Sequence, residues 1–402
     1  MLVAAEIFAR DRPIRGARLC QKTGTRLAAT RSAGREARPH QPSRGCELWS
    51  APPPTGLLRA RSEVRPARMS LTESSRASLG RPTAPEPEVS VVIPVFDSGE
   101  FLESTLDSVL SQGPAGDQAP PSFEILIIDD RSTDPHTLEV LERAASDPRI
   151  RVLANRRTKG VAGARNTGIE AARAAWIAFC DSDDLWLDTS LAVRWGFLRR
   201  HPQVRWLSAG FLLLRPETGL DQRPFAARSP CIYGLIKEDF DAGRLAKLER
   251  PVTALLHCGC PQVLTALMRR DTIIEAGMFD ESMRRAEDYL LWLRCAIRED
   301  LYLVPADTGI YRLRPGSLTR SGEPTFYLEH QMLRKLRDDP RFLAYSTEID
   351  RRMVLVLEDY CYHYRRQRRY ATAVRWAVAL LQETPFRRAS WKHLIATVVG
   401  VG

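Results

Sequence analysis

The residues best suited to do chemistry are Asp181-Ser182-Asp183-Asp184, which follow directly on the short apolar run 176–180, WIAFC. A short apolar run closed by a polar cluster reads as a buried strand that stops at a site. Three carboxylates in four residues repel one another unless positive charge sits between them. A hard divalent cation with a diphosphate on its far side meets that need. A solvated acidic turn is the plainer reading, and D-x-D alone is too common to decide between the two.

A second acidic cluster, Asp129-Asp130, closes another apolar run, FEILII at 123–128. The elements around both clusters alternate. Strands are expected at 89–95, 123–128, 150–153 and 176–180, and helices at 99–112, 135–145 and 159–172. Such alternation implies right-handed βαβ units and a largely parallel sheet. Ligands of these sheets bind beyond the carboxyl ends of the strands, so both acidic clusters fall on one rim. Lys159, Arg165 and Asn166 lie on the glycine-containing turn and helix KGVAGARNTGIEAA. Farther along, a strand is expected at 204–214, an irregular variable stretch at 215–260, and a strand at 263–268. An amphipathic helix opens with Glu287-Asp288, where a carboxylate is stabilised by the helix dipole. Late strands at 301–304 and 308–313 precede a helical region that begins at 326, with an αα-hairpin turn at 367–369.

Composition narrows the function classes. The 402 residues carry a formal charge of +10, yet residues 1–68 alone hold thirteen Arg and one Lys against five acidic residues. The remainder has 45 basic and 44 acidic side chains, so nucleic acid is not implied as a partner. Only six of the 59 basic residues are Lys, a bias that discounts any single Arg as a phosphate ligand. Eight scattered cysteines lack a secreted framework, so buried thiols in a reducing, cytoplasmic setting are expected. Cys258-Gly259-Cys260 is a weak zinc signal on its own. No apolar run is long enough to cross a membrane. Residues 1–88 are expected to be disordered, with Met69 as an alternative start.

With these elements in place, the chain resembles the family 2 glycosyltransferases of GT-A fold. The resemblance rests on VSVVIPVFDSGEFLESTLDSVLSQ (89–112), FEILIIDDRSTD (123–134), KGVAGARNTGIEAA (159–172), WIAFCDSDDLW (176–186), ALMRRDTIIEAGMFDE (266–281) and AEDYLLWLR (286–294), in family order. It implies a Rossmann-like mixed α/β sheet from 89 to about 320, followed by a helical C-terminal region. Pro94, Val95 and Phe96 with Asp129 or Asp130 would hold the nucleotide base. Lys159, Arg165 and Asn166 would flank the donor. Asp181 and Asp183 would contact ribose and a divalent cation, Mg²⁺ or Mn²⁺, on the diphosphate. Asp288, beside Glu287, would be the general base of an inverting single displacement. The donor would be a nucleotide sugar, with a UDP-sugar favoured, and the acceptor a hydroxyl of a glycan or lipid-linked glycan.

Two departures stand out: Arg131 where the family often has Gly, and Leu290 at an often acidic position. The Q-x-x-R-W element of processive synthases is absent, which points to single addition. A catalytically inactive nucleotide-sugar-binding protein is the alternative, and retention of Asp181, Asp183 and Asp288 together argues against it. A nucleotidyltransferase would need a basic glycine-rich loop after the first strand, where Phe96-Asp97-Ser98 stands instead. The Arg-rich C-terminal helices have two readings. They can rest on an anionic membrane at its inner face, or pack their apolar faces on their own domain.

Overall fold

The computed structural model describes residues 86–399, except Cys260 and residues 315–325. The expectations for residues 1–85, including a start at Met69, lie outside these residues. Ten strands form one mixed sheet. They are β1 (Val89–Val95), β2 (Phe123–Asp129), β3 (Ile150–Ala154), β4 (Trp176–Phe179), β5 (Leu185–Trp186), β6 (Trp206–Arg215), β7 (Gly219–Asp221), β8 (Ala246–Leu248), β9 (Leu267–Arg269) and β10 (Leu301–Arg312). The spatial order is β3-β2-β1-β4-β9-β6-β10-β5. The first four are mutually parallel, β9 is antiparallel to both neighbours, and β6 and β10 are again parallel.

Helices cover both faces, as a parallel sheet requires. Val91, Ile93, Ile125 and Ile127 point to one side, into a core shared with α1 (Phe101–Leu110), α2 (Pro135–Ala144) and α4 (Ser190–Arg200). Val92, Leu126 and Ile128 point to the other, into a core with α3 (Val161–Ala171) and α9 (Glu287–Ala296). The second core runs without a break into the C-terminal helices through Met332, Leu336, Met353, Tyr360 and Ala377. Those residues belong to α10 (Phe326–Asp338), α11 (Ser346–Arg366) and α12 (Tyr370–Glu383), and α13 (Arg388–Val399) follows.

Four expectations need correction. The stretch 215–260 is not irregular: it holds β7, α5 (Phe225–Arg228), α6 (Pro230–Asp241), β8 and α7 (Pro251–Cys258). Its strands are three residues long, β7 folding back on the preceding β6 and β8 pairing with distant β10, so local periodicity had little length in which to show. The two late strands are one, β10, whose register shifts between Val304 and Gly309 hide the continuity. The region 263–268 is a 3-10 turn (Val263–Thr265) followed by β9, which leads into α8 (Arg270–Glu275). Cys258 is not a free buried thiol either. It forms a disulfide with Cys231, because α6 and α7 bring their Cα atoms to 5.4 Å. Cys180, Cys295 and Cys361 are free and buried.

Glycines set how close α3 comes to the sheet. A Cβ on Gly168 would lie 2.4 Å from Val92 Cγ1 and 3.0 Å from Val92 Cγ2. Gly168→Ala is expected to destabilise the fold by about 1–3 kcal/mol despite its better helix propensity, since overpacking of a β-branched side chain in a filled core outweighs the backbone gain. The check is the urea midpoint of the variant against wild type; an unchanged or higher midpoint would mean that Val92 yields freely.

Candidate active site

The turn after β4 is built to keep its carboxylates in place. The Asp184 amide donates to the Asp181 carbonyl at 3.0 Å. The Thr105 hydroxyl, from α1, reaches the Ser182 carbonyl at 3.0 Å and the Asp184 carbonyl at 2.8 Å. The Ser98 and Ser182 hydroxyls meet at 2.6 Å. At the end of β10 the Arg312 amide donates to Asp184 Oδ1 at 2.9 Å, and the Arg312 guanidinium donates to Ser104 Oγ and Thr105 Oγ1, each at 2.8 Å, and to the Asp183 carbonyl. Asp184 is buried, and that burial, with the neighbouring charges of Asp183 and Asp181, pushes its carboxyl well above the usual range. Asp184 is therefore part of the scaffold.

Asp181 and Asp183 are each met by an arginine. Arg165, buried on α3, donates from one terminal nitrogen to Asp181 Oδ1 and from the other to Glu287 Oε1, each at 2.7 Å. Its guanidinium carbon also lies 5.2 Å from the centre of the Phe279 ring. Arg314, just past β10, donates to Asp183 Oδ2 at 2.6 Å. Burial and the charge of Asp181 raise the Asp183 carboxyl, and Arg314 opposes them.

Glu287 and Asp288 open α9. Burial pushes Glu287 up to about 7, the Asp288 charge adds to this, and Arg165 works against both. Burial raises half-buried Asp288 as well, opposed by the Arg165 charge and by the Tyr289 amide, which donates to Asp288 Oδ1 at 2.7 Å. The helix itself is pinned from below: the Tyr289 hydroxyl donates to the Leu255 carbonyl at 2.7 Å, and the Trp292 indole N–H to the Pro261 carbonyl at 3.1 Å.

The other expected residues line the rim of β1, β2 and α3. The β1–β2 register sets Pro94 opposite Ile128 and Val95 opposite Asp129. Phe96 is exposed, and Lys159 Nζ sits 4.1 Å from the centre of its ring. Asp129 Oδ1 accepts the Ser132 amide at 3.0 Å. Asp130 is buried and accepts from Asn155 Nδ2 at 2.6 Å and the Gly160 amide at 2.7 Å, so both of its oxygens hold the loop before α3. Asn166 is also engaged internally. It donates to the Phe279 carbonyl at 2.8 Å and Glu281 Oε1 at 2.9 Å, and it accepts the Phe279 amide at 3.0 Å. Arg131 has φ of 69°, in the left-handed region, which is the physical reason a glycine suits that position. Leu290 is buried in the core.

Sequence reasoning missed Arg312, Arg314, Thr105 and Glu281. Arg312 and Arg314 stand two apart at a strand end, which puts them on one side, but the general Arg excess masked that signal. Burial alone would raise Glu281, but donors from Asn166, Thr158 and Arg157 outweigh it and hold the carboxylate at about 2.

The chain is similar to known proteins. The profile of the family described as Glycosyl transferase family 2 matches residues 90–205. The chain is 39% identical over 235 residues to the Escherichia coli UDP-Glc:alpha-D-GlcNAc-diphosphoundecaprenol beta-1,3-glucosyltransferase WfgD, covering 58% of this chain and 79% of that protein. The chain belongs to glycosyl transferase family 2. It is also 30% identical over 247 residues to the Rhizobium meliloti succinoglycan biosynthesis protein ExoO, covering 58% of this chain and 63% of that protein. In fold it is similar to Staphylococcus aureus TarS 1–349, solved in complex with UDP-GlcNAc: the TM-score is 0.54 at 15% identity, covering 78% of this chain and 88% of that one. The GT-A fold expected of this glycosyltransferase is thus the fold observed.

Two outcomes follow for this site. Thr105→Val removes the hydroxyl that binds two carbonyls of the acidic turn, and a loss of about 1–3 kcal/mol in urea unfolding is expected. Unaltered stability would show that Arg312 alone suffices. The second concerns pH. The folded state keeps the Glu287 proton up to about 7, whereas the unfolded chain releases it near 4.5, so stability falls as pH rises through that window. Asp183, Asp184 and Asp288 shift in the same direction. Glu281 shifts the other way, but its window lies below 4.5, while His330 and His363, lowered by burial, oppose the decline equally in wild type and variant. Urea midpoints measured across the window should decline in wild type and decline less in Glu287→Gln; identical slopes would refute a raised Glu287.

Proposed function

We propose that the family 2 glycosyltransferase described here moves a sugar from a UDP-sugar to a hydroxyl of a lipid-linked glycan, inverting the anomeric centre in a single displacement. The observation that carries this reading is Arg165: one guanidinium touches both Asp181 and Glu287, so the acidic turn and the Glu287–Asp288 pair face one space. A donor phosphate near Asp181 and an acceptor hydroxyl near Asp288 would then lie side by side, as a direct displacement requires. The name of the E. coli relative, with UDP-Glc and a diphosphoundecaprenol-linked sugar, supports both the donor and the acceptor class, and that of the Rhizobium relative supports polysaccharide synthesis. TarS, solved with UDP-GlcNAc, supports a uridine donor on this fold.

In this reading Phe96 and Asp129 meet the nucleotide base, while Asp130 and Asn166 act indirectly by fixing the loop and helix beside it. Asp288 takes the proton from the acceptor hydroxyl at its carboxylate. Glu287, clamped by Arg165, holds the start of α9 beside that base and carries a negative charge only as pH rises past about 7. Burial raises Asp288, the direction that makes a carboxylate a stronger base. Asp181 and Asp183 fit a hard divalent cation. They are close enough that the charge of Asp181 raises Asp183, and oxygen ligands suit Mg²⁺ or Mn²⁺. Among the described residues no group of three or more ligands is assembled in advance, so diphosphate oxygens and water would complete the shell. When bound there, the ion would neutralise charge on the departing nucleoside diphosphate.

Calorimetric titration with UDP and GDP, each with and without Mn²⁺, tests the donor site. Metal-dependent UDP binding that disappears in Asp183→Ala is expected; a folded protein that binds neither nucleotide with metal would sink the assignment. Asp288→Asn is expected to bind UDP like wild type while turnover falls roughly 10²–10⁴-fold. Retained turnover would remove Asp288 from the role of base.

A further inference from the structure

Helix α13 (Arg388–Val399) packs Leu394 partly against the core but turns most of its large apolar side chains outward. Ser390 and Thr397 are fully buried, at 0% and 1% exposure, while Trp391, Ile395, Val398 and Val399 are exposed at 50%, 58%, 68% and 67%. The buried hydroxyls are satisfied locally: Ser390 Oγ meets Thr384 Oγ1 at 2.7 Å, and Thr397 Oγ1 donates to the His393 carbonyl at 2.6 Å. The four exposed side chains recur at spacings of three and four, so they form one face of the helix. Phe386, at 98% exposure, lies just before it. A chain that oriented this helix by its own core would turn the Trp and Ile inward and the Ser and Thr outward. The exposed apolar face is thus presented to something outside the described residues.

The charge around the face identifies what that is. From Thr384 to the last residue there is no Asp or Glu, while Arg387, Arg388 and Lys392 are present. Arg387 is paired with Glu358 at 2.8 Å, and Arg388 and Lys392 are exposed beside the apolar face. A cationic rim around an apolar stripe with a Trp is complementary to an anionic lipid surface. A second copy of the same face would set cation against cation. At twelve residues the helix is about 18 Å long, too short to span a hydrocarbon core of about 30 Å, so it lies along the surface.

We propose that the Trp391–Ile395–Val398–Val399 face docks on an anionic bilayer, with Phe386 inserted beside it and Arg388 and Lys392 on lipid phosphates. This inference goes beyond sugar transfer and stands apart from the identity of the acceptor. The test is sedimentation of the full chain with vesicles of phosphatidylcholine alone and of phosphatidylcholine mixed with phosphatidylglycerol. Wild type is expected to sediment with the mixed vesicles and to be released by salt. Trp391→Gln/Ile395→Gln is expected to lower the partition coefficient at least about tenfold. Arg388→Gln/Lys392→Gln is expected to lower it roughly 25-fold, about fivefold per cation. The Arg-rich N-terminal stretch is common to all variants, so their differences isolate the helix. UDP binding by calorimetry is expected to be equal in all of them, which separates this result from failure of the donor site. Equal sedimentation of wild type and both variants would overturn the proposal. So would a concentration-dependent dimer that Trp391→Gln/Ile395→Gln abolishes, with no vesicle binding.

Discussion

A buried guanidinium between two carboxylates is the constraint on which the site depends. Arg165 is charged in a place with little water, and a buried charge is tolerated only when paired and hydrogen-bonded. Asp181 and Glu287 supply that pairing from β4's end and from the start of α9. Each of the three would be costly without the others, because removing one member of a buried ion group strands its partners. The same mutual dependence holds the acidic turn and the start of α9 in register, although 106 positions separate Asp181 from Glu287 in the chain.

The sheet explains why three such distant residues meet. Parallel β1, β2 and β4 end together, so the loops that follow them share a rim. Gly168 allows α3 to lie against Val92 of β1, which sets the depth of Arg165. Tyr289 and Trp292 tie α9 to carbonyls of the 251–261 region, which sets the position of Glu287. Side chains from five separate stretches therefore converge without any one of them carrying a complete motif.

The parallel half was legible in the sequence because its signals are local. Apolar runs such as VSVVIPV and FEILII, each closed by polar residues, announce strands and their ends. The acidic turn and Glu287-Asp288 were visible for the same reason. The second half was harder to read. β7, β8 and β9 have three residues each, too few for an internal pattern, and β8 and β9 exist by virtue of distant partners. Arg312 and Arg314 carried a positional signal, but in a chain so rich in arginine it did not stand out. Asp130 and Asn166 show the converse. Their residue types fit a ligand site, and only the geometry shows that their polar atoms hold the backbone.

The clamp on the acidic turn has a consequence for how the protein comes into being. Arg314 follows Asp183 by 131 positions, and Arg312 follows Asp184 by 128. During synthesis at about 5–20 residues per second, the turn must wait roughly 6–26 seconds for the cations that complete it. Until β10 emerges and inserts between β6 and β5, the three carboxylates repel one another and stay hydrated. The acidic turn is thus the last part of this rim to be completed, and a nascent chain can gather its parallel core well before Arg312 and Arg314 close on the turn.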